Sequence, residues 1–324
     1  MTVPTNLYQK ASLKGNREDL IDKIFNTSPT ETPISSAMGR VTATTDFHEW
    51  QTDTLASANA ANKMIDGDDA TSASQTATNR LGNHLQIFNT TIGVSRRANI
   101  VKKAGRATEM AYLKGKAMLQ LKRDIEAMVL SPTQVAIAAT TSVAGQSGGL
   151  GVQCVSNPLH NGAGATAAWT SGAPTAAITA GTNRTFTKSL LDTACQNIYT
   201  TSGQFAEMLV LSPAHKVLFS AFSSIAQNRV DVAKKSNGQG AVVAGADIYM
   251  SDFGSLSVVP HYLLSGSDTA YVLNTDYLEL AFLDGFKTSD LAKTGDSDKV
   301  LITADCALAV RAPTAQAKIT NLTP

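Results

Sequence analysis

The chain has 324 residues, with 27 lysines and arginines against 26 aspartates and glutamates, a net charge of +1 when its five histidines are neutral. Hydrophobic residues make up 43%, charged residues 16% and aromatics 6%, so small neutral side chains fill much of the remainder. This balance excludes a disordered polyelectrolyte and a module that grips nucleic acid by bulk charge, and a length of about two domains excludes a disulfide-stapled miniprotein.

No stretch approaches the ~20 consecutive apolar residues of a membrane-spanning helix. No apolar run follows the first positive charges, so the N-terminus does not read as a secretory signal and synthesis in the cytoplasm is expected. Cys154, Cys195 and Cys306 are odd in number, widely separated and without a Cys-x-x-Cys pair, which predicts buried free thiols rather than a disulfide or a zinc site.

In chain order, residues 1–15 lack periodicity and read as an extended arm. A short amphipathic helix is predicted next, with Leu20, Ile21, Ile24 and Phe25 on one face and Asn16 as its cap, before Thr30 to Pro33 punctuates the chain. Val41 to Leu55 and His84 to Val94 then read as two paired strands, long enough to reach roughly 35 to 50 Å. Between them, Ala56 to Arg80 offers only Met64 and Ile65 as large apolar residues and cannot build a core. A lone hairpin is marginal in water, so this one needs cover, for which neighbouring molecules are a source.

Ala98 to Leu130 is the strongest helical signal, about thirty residues of helix formers reaching ~45 to 50 Å and stopped by Ser131-Pro132. Thr133 to Arg184 is poor in charge and reads as long loops with a few short strands. An α/β unit follows: helix Thr187 to Tyr199, strand Ala206 to Leu211, helix Pro213 to Ile225, and paired strands Asp247 to Ser251 and Ser255 to Pro260. The remainder reads as β over Ala270 to Leu273, Tyr277 to Phe282, Val300 to Thr303 and Ala307 to Arg311.

The search for chemistry is unproductive. Ser212 and His215 form a serine-histidine pair on paper, but Gly-x-Ser-x-Gly is absent and Pro213 makes Ser212 a natural helix N-cap. Gly145 to Gly151 lacks the Gly-Lys-Ser/Thr of a phosphate loop and reads as a flexible loop. Asp66-Gly67-Asp68-Asp69 and Asp296-Ser297-Asp298 lack the alternating ligands of a calcium loop and suit turns. Arg96, Arg97 and the lysines of the long helix are interspersed with Glu109, Asp124 and Glu126, as on a solvated face. His48, His84, His160 and His261 have no partner at ligand spacing. No catalytic, cofactor or metal site emerges, and no enzyme is expected.

Several stretches are informative together: Thr32-Pro33, His48-Glu49-Trp50-Gln51-Thr52-Asp53 with Leu55, and Lys103-Ala104-Gly105-Arg106 through Lys122-Arg123-Asp124-Ile125-Glu126. Ser212-Pro213, Ser251-Asp252-Phe253-Gly254 with Val258-Val259-Pro260, and Leu291 to Ser297 complete the set. In their order and spacing the sequence resembles the major capsid (major head) proteins of tailed bacteriophages with the Hong Kong 97-type fold.

The resemblance implies an α+β protein with an N-terminal arm (1–40), an extended hairpin loop (41–97), a peripheral domain beginning at 98–186 with a spine helix at 98–131, an axial domain (187–269) and a peripheral return (270–324). It implies a shell subunit that assembles with itself as hexamers and pentamers around double-stranded DNA held without sequence-specific contacts. The subunit would be made in the host bacterial cytoplasm and end in the virion, with a portal, room for a decoration protein, no cofactor and no membrane. No long charged helical segment precedes residue 16, and Met1 favours a separate scaffolding protein over a removed leader. Inter-subunit contacts are expected from Glu49, Trp50, Asp66, Asp68, Asp69, Arg96, Arg97, Lys102 and Lys103, with the aspartates facing a neighbour's basic residues. An encapsulin-like shell shares the fold and is one alternative. A tail-tube protein is the other, and the long helix speaks against it.

Overall fold

The computed structural model describes residues 14, 19, 21–69, 72, 75–222 and 247–323. Helix formers dominate α3 (Glu109–Leu130), and Ala117, Leu121, Ile125 and Met128 fall on one buried stripe at three- and four-residue spacing. That stripe packs on a four-stranded sheet of order β1 (Gly39–Thr42), β10 (Leu278–Leu291), β11 (Ser297–Val310) and β4 (Gln86–Ser95). In β4, Phe88, Ile92 and Val94 are buried while Asn89, Thr91 and Gly93 are exposed, the two-residue period of a half-covered strand. The facing row of β11, from Val300 through Ile302, Ala304, Cys306 and Leu308 to Val310, completes the core. Burial of each large apolar side chain there contributes about 1.5–3 kcal/mol.

A six-stranded mixed sheet carries the second core. Its order is β5 (Pro158–Leu159), β12 (Ala317–Ile319), β9 (Ala270–Leu273), β6 (Met208–Leu211), β8 (Gly254–Pro260) and β7 (Ile248–Ser251). Val210, Tyr271 and Leu273 face the α3 core, whereas Leu209, Leu211, Val272 and Ile319 face α5 (Lys188–Ser202) and α6 (Pro213–Ser220). Strands buried on both faces read as continuous apolar runs, as Met208–Leu211 and Ala270–Leu273 do. Residues 270–319 are shared between the sheets: β9 and β12 lie in the six-stranded one, β10 and β11 in the four-stranded one.

Several sequence expectations change. The expected helix over 98–131 is two helices, α2 (Arg96–Ile100) and the 22-residue α3, ~33 Å long at 1.5 Å per residue. Between them Gly105 takes φ +77°, outside helical backbone, and its N–H donates to the Asp22 carboxylate. The amphipathic helix expected around Ile21 to Phe25 is absent: those residues are irregular, and Ile24 lies against Gly105. The helix expected to reach Ile225 is shorter, α6 ending at Ser220 with Ala221 as its C-cap; most of the arm over residues 1–15, the Asn16 cap and Leu20 lie outside the described residues.

The hairpin partner is also different. β2 (Phe47–Thr52) pairs antiparallel with β3 (Asn79–His84), not with the stretch up to Val94, which is β4 and pairs with β11. Phe88, Ile92 and Val94 thus find cover inside the subunit. The short strands expected across 277–311 are one antiparallel pair of 14 residues each, β10 and β11, with register shifts at Phe282/Asp284 and Asp284/Lys287. Beyond the shifts every β10 residue is exposed, so no hydrophobic alternation marks that half.

The glycine-rich stretch is not a loose loop. Gly148 and Gly149 lead into α4 (Leu150–Gln153), all buried, and a Cβ on Gly149 or Gly151 would lie 2.6 Å or 1.9 Å from the carbonyl oxygens of Ser131 and Pro132. Close backbone approach demands glycine here.

Candidate assembly surfaces

The β2–β3 hairpin is rooted in its own subunit. Asn83, fully buried, donates from Nδ2 to Ser147 Oγ (3.0 Å) and to the carbonyls of Gly148 (3.1 Å) and Leu308 (2.7 Å), and its Oδ1 accepts from the Gly148 N–H (2.9 Å). The Gly82 N–H donates to the Gly172 carbonyl at 2.7 Å. Trp50 meets Trp169 edge-on with ring centroids 5.9 Å apart, and Glu49 forms an ion pair with Arg80 across the hairpin.

Beyond the root the chain loses its cover. Leu55 is 99% exposed, Met64 61% and Ile65 77%. The Asp68 N–H donates to the Ile65 carbonyl at 3.1 Å, with Gly67 at φ +81°, so Asp66, Asp68 and Asp69 sit on an exposed turn. This is the turn role the sequence suggested for them.

The basic set lies at the other end of β4. Arg96 pairs through Nε with Asp296 (2.9 Å), and its N–H donates to the Asp296 carbonyl (3.1 Å). Arg97 and Lys102 are exposed, and the half-buried Lys103 donates to the Asn99 carbonyl at 3.3 Å. Arg97, Lys103, Arg106 and Leu113 help line a groove of about 640 Å³. A second groove, about 560 Å³, lies between Ile24 to Thr30 and α3, where Lys116, Leu119 and Arg123 line it. Among the described residues no ion pair joins Asp66, Asp68 or Asp69 to Arg96, Arg97, Lys102 or Lys103 within one copy.

Ser212 and His215 do meet. Ser212 Oγ accepts from the His215 N–H (3.1 Å) and lies 2.9 Å from His215 Nδ1, while Nε2 lies 3.0 Å from the Thr323 carbonyl. A carbonyl only accepts, so Nε2 carries the proton and Nδ1 accepts from the hydroxyl. Both side chains are buried, and the serine caps α6. The three cysteines are free and buried, and burial pushes the thiols of Cys154 and Cys306 up to about 12 and that of Cys195 to about 11. Such thiols are poor nucleophiles. Among the described residues, none of the His, Cys, Asp and Glu side chains gather in threes around a metal position, and no helix is long and apolar enough to cross a membrane.

The sequence reading missed the roles of four residues: Asn83, Trp169 and the buried pair Glu126–His261. Asn83 and His261 stand in apolar or turn-rich surroundings with no local motif, and their partners lie 64 to 225 residues away for Asn83 and 135 for His261.

An extended hairpin, a long helix on a four-stranded sheet and a second α/β core define the Hong Kong 97-like capsid fold, and comparison with known proteins agrees. The profile of the SU10 major capsid protein family matches residues 4–323, so the chain belongs to that family. The major capsid protein of Escherichia phage Phieco32 is 31% identical over 131 residues, a match spanning 40% of this chain and 37% of that relative. Among solved structures, the cyanophage A-1(L) capsid superimposes with a TM-score of 0.65 at 13% identity, covering 99% of this chain and 100% of that one. Gordonia phage Cozz gives 0.59 at 10% identity over 94% and 91%. The SrpI encapsulin of Synechococcus elongatus PCC 7942 also shares the fold, with a TM-score of 0.52 at 12% identity over 93% and 92%.

Proposed function

We propose that this chain is the structural subunit of an icosahedral head that encloses the double-stranded DNA of a tailed bacteriophage, with no catalytic role. The observation that carries this reading is the loop beyond β2 and β3, where Leu55, Met64 and Ile65 stand in solvent on a long segment with no core of its own. Monomers seldom leave such a segment uncovered, and a closed shell covers it by repeating one heterologous contact.

In this arrangement Asp66, Asp68 and Asp69 of one copy face the basic side of the next, with Arg97, Lys102 and Lys103 as receivers and Arg96 steadied by Asp296. Glu49 and Trp50 act nearer the root, holding the hairpin at the angle from which its loop reaches a neighbour. Hexamers and pentamers of this one chain form the shell. A separate scaffolding protein, a portal and a decoration protein are the heterologous partners, and the chain is made in the host bacterial cytoplasm before entering the virion. Near-neutral net charge suits a lining that holds DNA without gripping it, because affinity multiplies with each phosphate neutralised. Sedimentation and imaging of the purified protein test the reading. Hexamers, pentamers or closed particles with nuclease-protected DNA are expected from infected cells; monomers alone across salt and protein concentration, with and without scaffold, oppose it. Particles filled with an enzyme cargo instead of DNA would favour the encapsulin-like alternative.

A further inference from the structure

Among the described residues Glu126 is the only acidic side chain that is fully buried. It projects from α3 into a junction of three chain segments. Oε1 accepts from the Ile34 N–H at 2.9 Å and from His261 Nε2 at 3.0 Å, and Oε2 accepts from the Ser35 N–H at 2.8 Å. Ile34 and Ser35 belong to α1 (Pro33–Ala37), whose cap residue Thr32 makes no side-chain capping bond and whose Pro33 has no N–H. The free amides of this helical turn are therefore satisfied by a carboxylate some 91 to 92 residues away in sequence.

His261 ties the same carboxylate to the six-stranded sheet. It follows β8, its N–H donates to the Leu211 carbonyl at the end of β6 (2.8 Å), and its Nδ1 accepts from the Leu263 N–H (3.2 Å). With Nδ1 accepting, Nε2 carries the proton, so the contact holds with a neutral ring. Burial pushes the Glu126 carboxyl up, but hydrogen bonds from His261, Ser35 and the Ile34 amide outweigh it and hold the group below the ordinary carboxylate value.

We infer that Glu126 is a positioning residue that sets where the N-terminal arm leaves the subunit, and that His261 makes this setting conditional on the seating of the six-stranded sheet. The segment preceding α1 faces α3 across the second groove, with Asp22 accepting from the Gly105 N–H and Ile24 against Gly105, so the stretch from 22 to 35 is held at both ends. Moving the β8–β9 connection away from α3 withdraws one donor from a buried carboxylate, and under-satisfied buried charge is costly enough to loosen its remaining contacts. The arm thus reports on the α/β unit through one shared group. The consequence for shell building rests on the reading given above: an arm whose exit is fixed only in correctly packed subunits is presented only by them.

Hydrogen exchange on the full-length chain tests this with two substitutions that divide the histidine's contacts. His261→Asn keeps an acceptor for the Leu263 N–H and removes the donor to Glu126, whereas His261→Gln keeps a donor at the Nε2 position and loses that acceptor. Exchange over residues 34–38 is expected to quicken about tenfold in His261→Asn, the size of one lost hydrogen bond to a charged group, and to stay near wild type in His261→Gln. Glu126→Gln is expected to quicken the same amides, with 117–125 and 300–310 protected as in wild type. Equal behaviour of the two histidine variants, an unchanged arm in Glu126→Gln, or an even loss of protection along the chain overturns the inference. Wild-type yields of normal particles from His261→Asn with a loosened arm overturn the assembly consequence alone and leave the shell reading standing.

Discussion

The layer formed by α3 with β4 and β11 and the loop beyond β2 and β3 use apolar residues in opposite ways. In the first, two periodicities meet: a helical stripe through Leu121, Ile125 and Met128 closes on alternate residues of β4 and β11, and each side chain finds its cover within one chain. In the second, Leu55, Met64 and Ile65 follow no period and find none. Between the two lies the hairpin root, where Asn83 ties the exposed element to β11 and Trp50 packs on Trp169. If the loop serves assembly as proposed, folding and assembly draw on separate residues, and mutations should separate them.

The largest expected effect is in the first region. Leu121→Ala, at a position with no exposure, should cost about 2–5 kcal/mol and lower the midpoint of chemical denaturation, with loss of particles following from loss of the fold. Circular dichroism with a denaturant titration checks it. A change below ~0.5 kcal/mol would mean that the helix stripe is not the core.

Next in size is Lys318, which is fully buried with its ammonium donating to the Gly151 carbonyl. Burial lowers its pKa to about 8, against a partial rise from Cys154. A lysine whose folded pKa lies below its unfolded value destabilises the fold while charged, and this penalty is relieved as pH rises from about 8 toward ~10.5. Lys318→Met should therefore exceed wild type by up to about 3 kcal/mol below pH 8, and the two should converge near pH ~10.5. The buried thiols act the other way, since their raised pKa values remove stability as pH climbs past ~9; Cys306 does so alike in both proteins, whereas Cys154 loses the lowering effect of Lys318 in the variant, so the comparison is cleanest below pH 8. Parallel pH profiles would show that the Lys318 ammonium is not penalised.

Asn83→Ala should cost ~1–3 kcal/mol by leaving the Gly148 N–H and the Leu308 carbonyl without this partner. It should also increase proteolytic cutting in the hairpin relative to the α3 layer, since the root is what holds β2 and β3 in place. Cutting at the wild-type rate would place the anchor elsewhere.

Glu49→Gln removes a partly exposed ion pair and should change stability by ~0–1 kcal/mol, screened further by salt, as thermal melts at low and high ionic strength would show. Smallest on folding, and largest on assembly, is replacement of residues 53–78 by Asn-Gly. Thr52 and Asn79 are directly opposite in the ladder, so a two-residue turn closes the hairpin. The helical signal and melting midpoint should stay near wild type while particles are lost. Loss of both would assign the loop to the subunit's own core, and normal particles would show it to be dispensable.

Local chemistry was enough to reveal much of this protein. The helical character of α3, the strands Met208–Leu211 and Ala270–Leu273, the Ser212 cap and the coreless loop all declare themselves through helix formers, short apolar runs, turn residues or the lack of large apolar side chains within a short window. The capsid fold itself was implied by the resemblance to tailed-phage major capsid proteins rather than by these local signals. The helix break at Gly105, the exchange of hairpin partners and the outer half of β10 were not legible, because Asp22, Phe47 and β11 supply their reasons from other stretches of chain. Nor could one read that Gly149 and Gly151 serve close packing, or that Glu126, patterned like any residue on a solvated face, is buried beneath the arm. A carboxylate's sequence neighbours set its helix but not its surroundings. Only the tertiary structure brings Ile34, Ser35 and His261 within hydrogen-bond distance, because a buried charge is tolerated only where the fold delivers its donors.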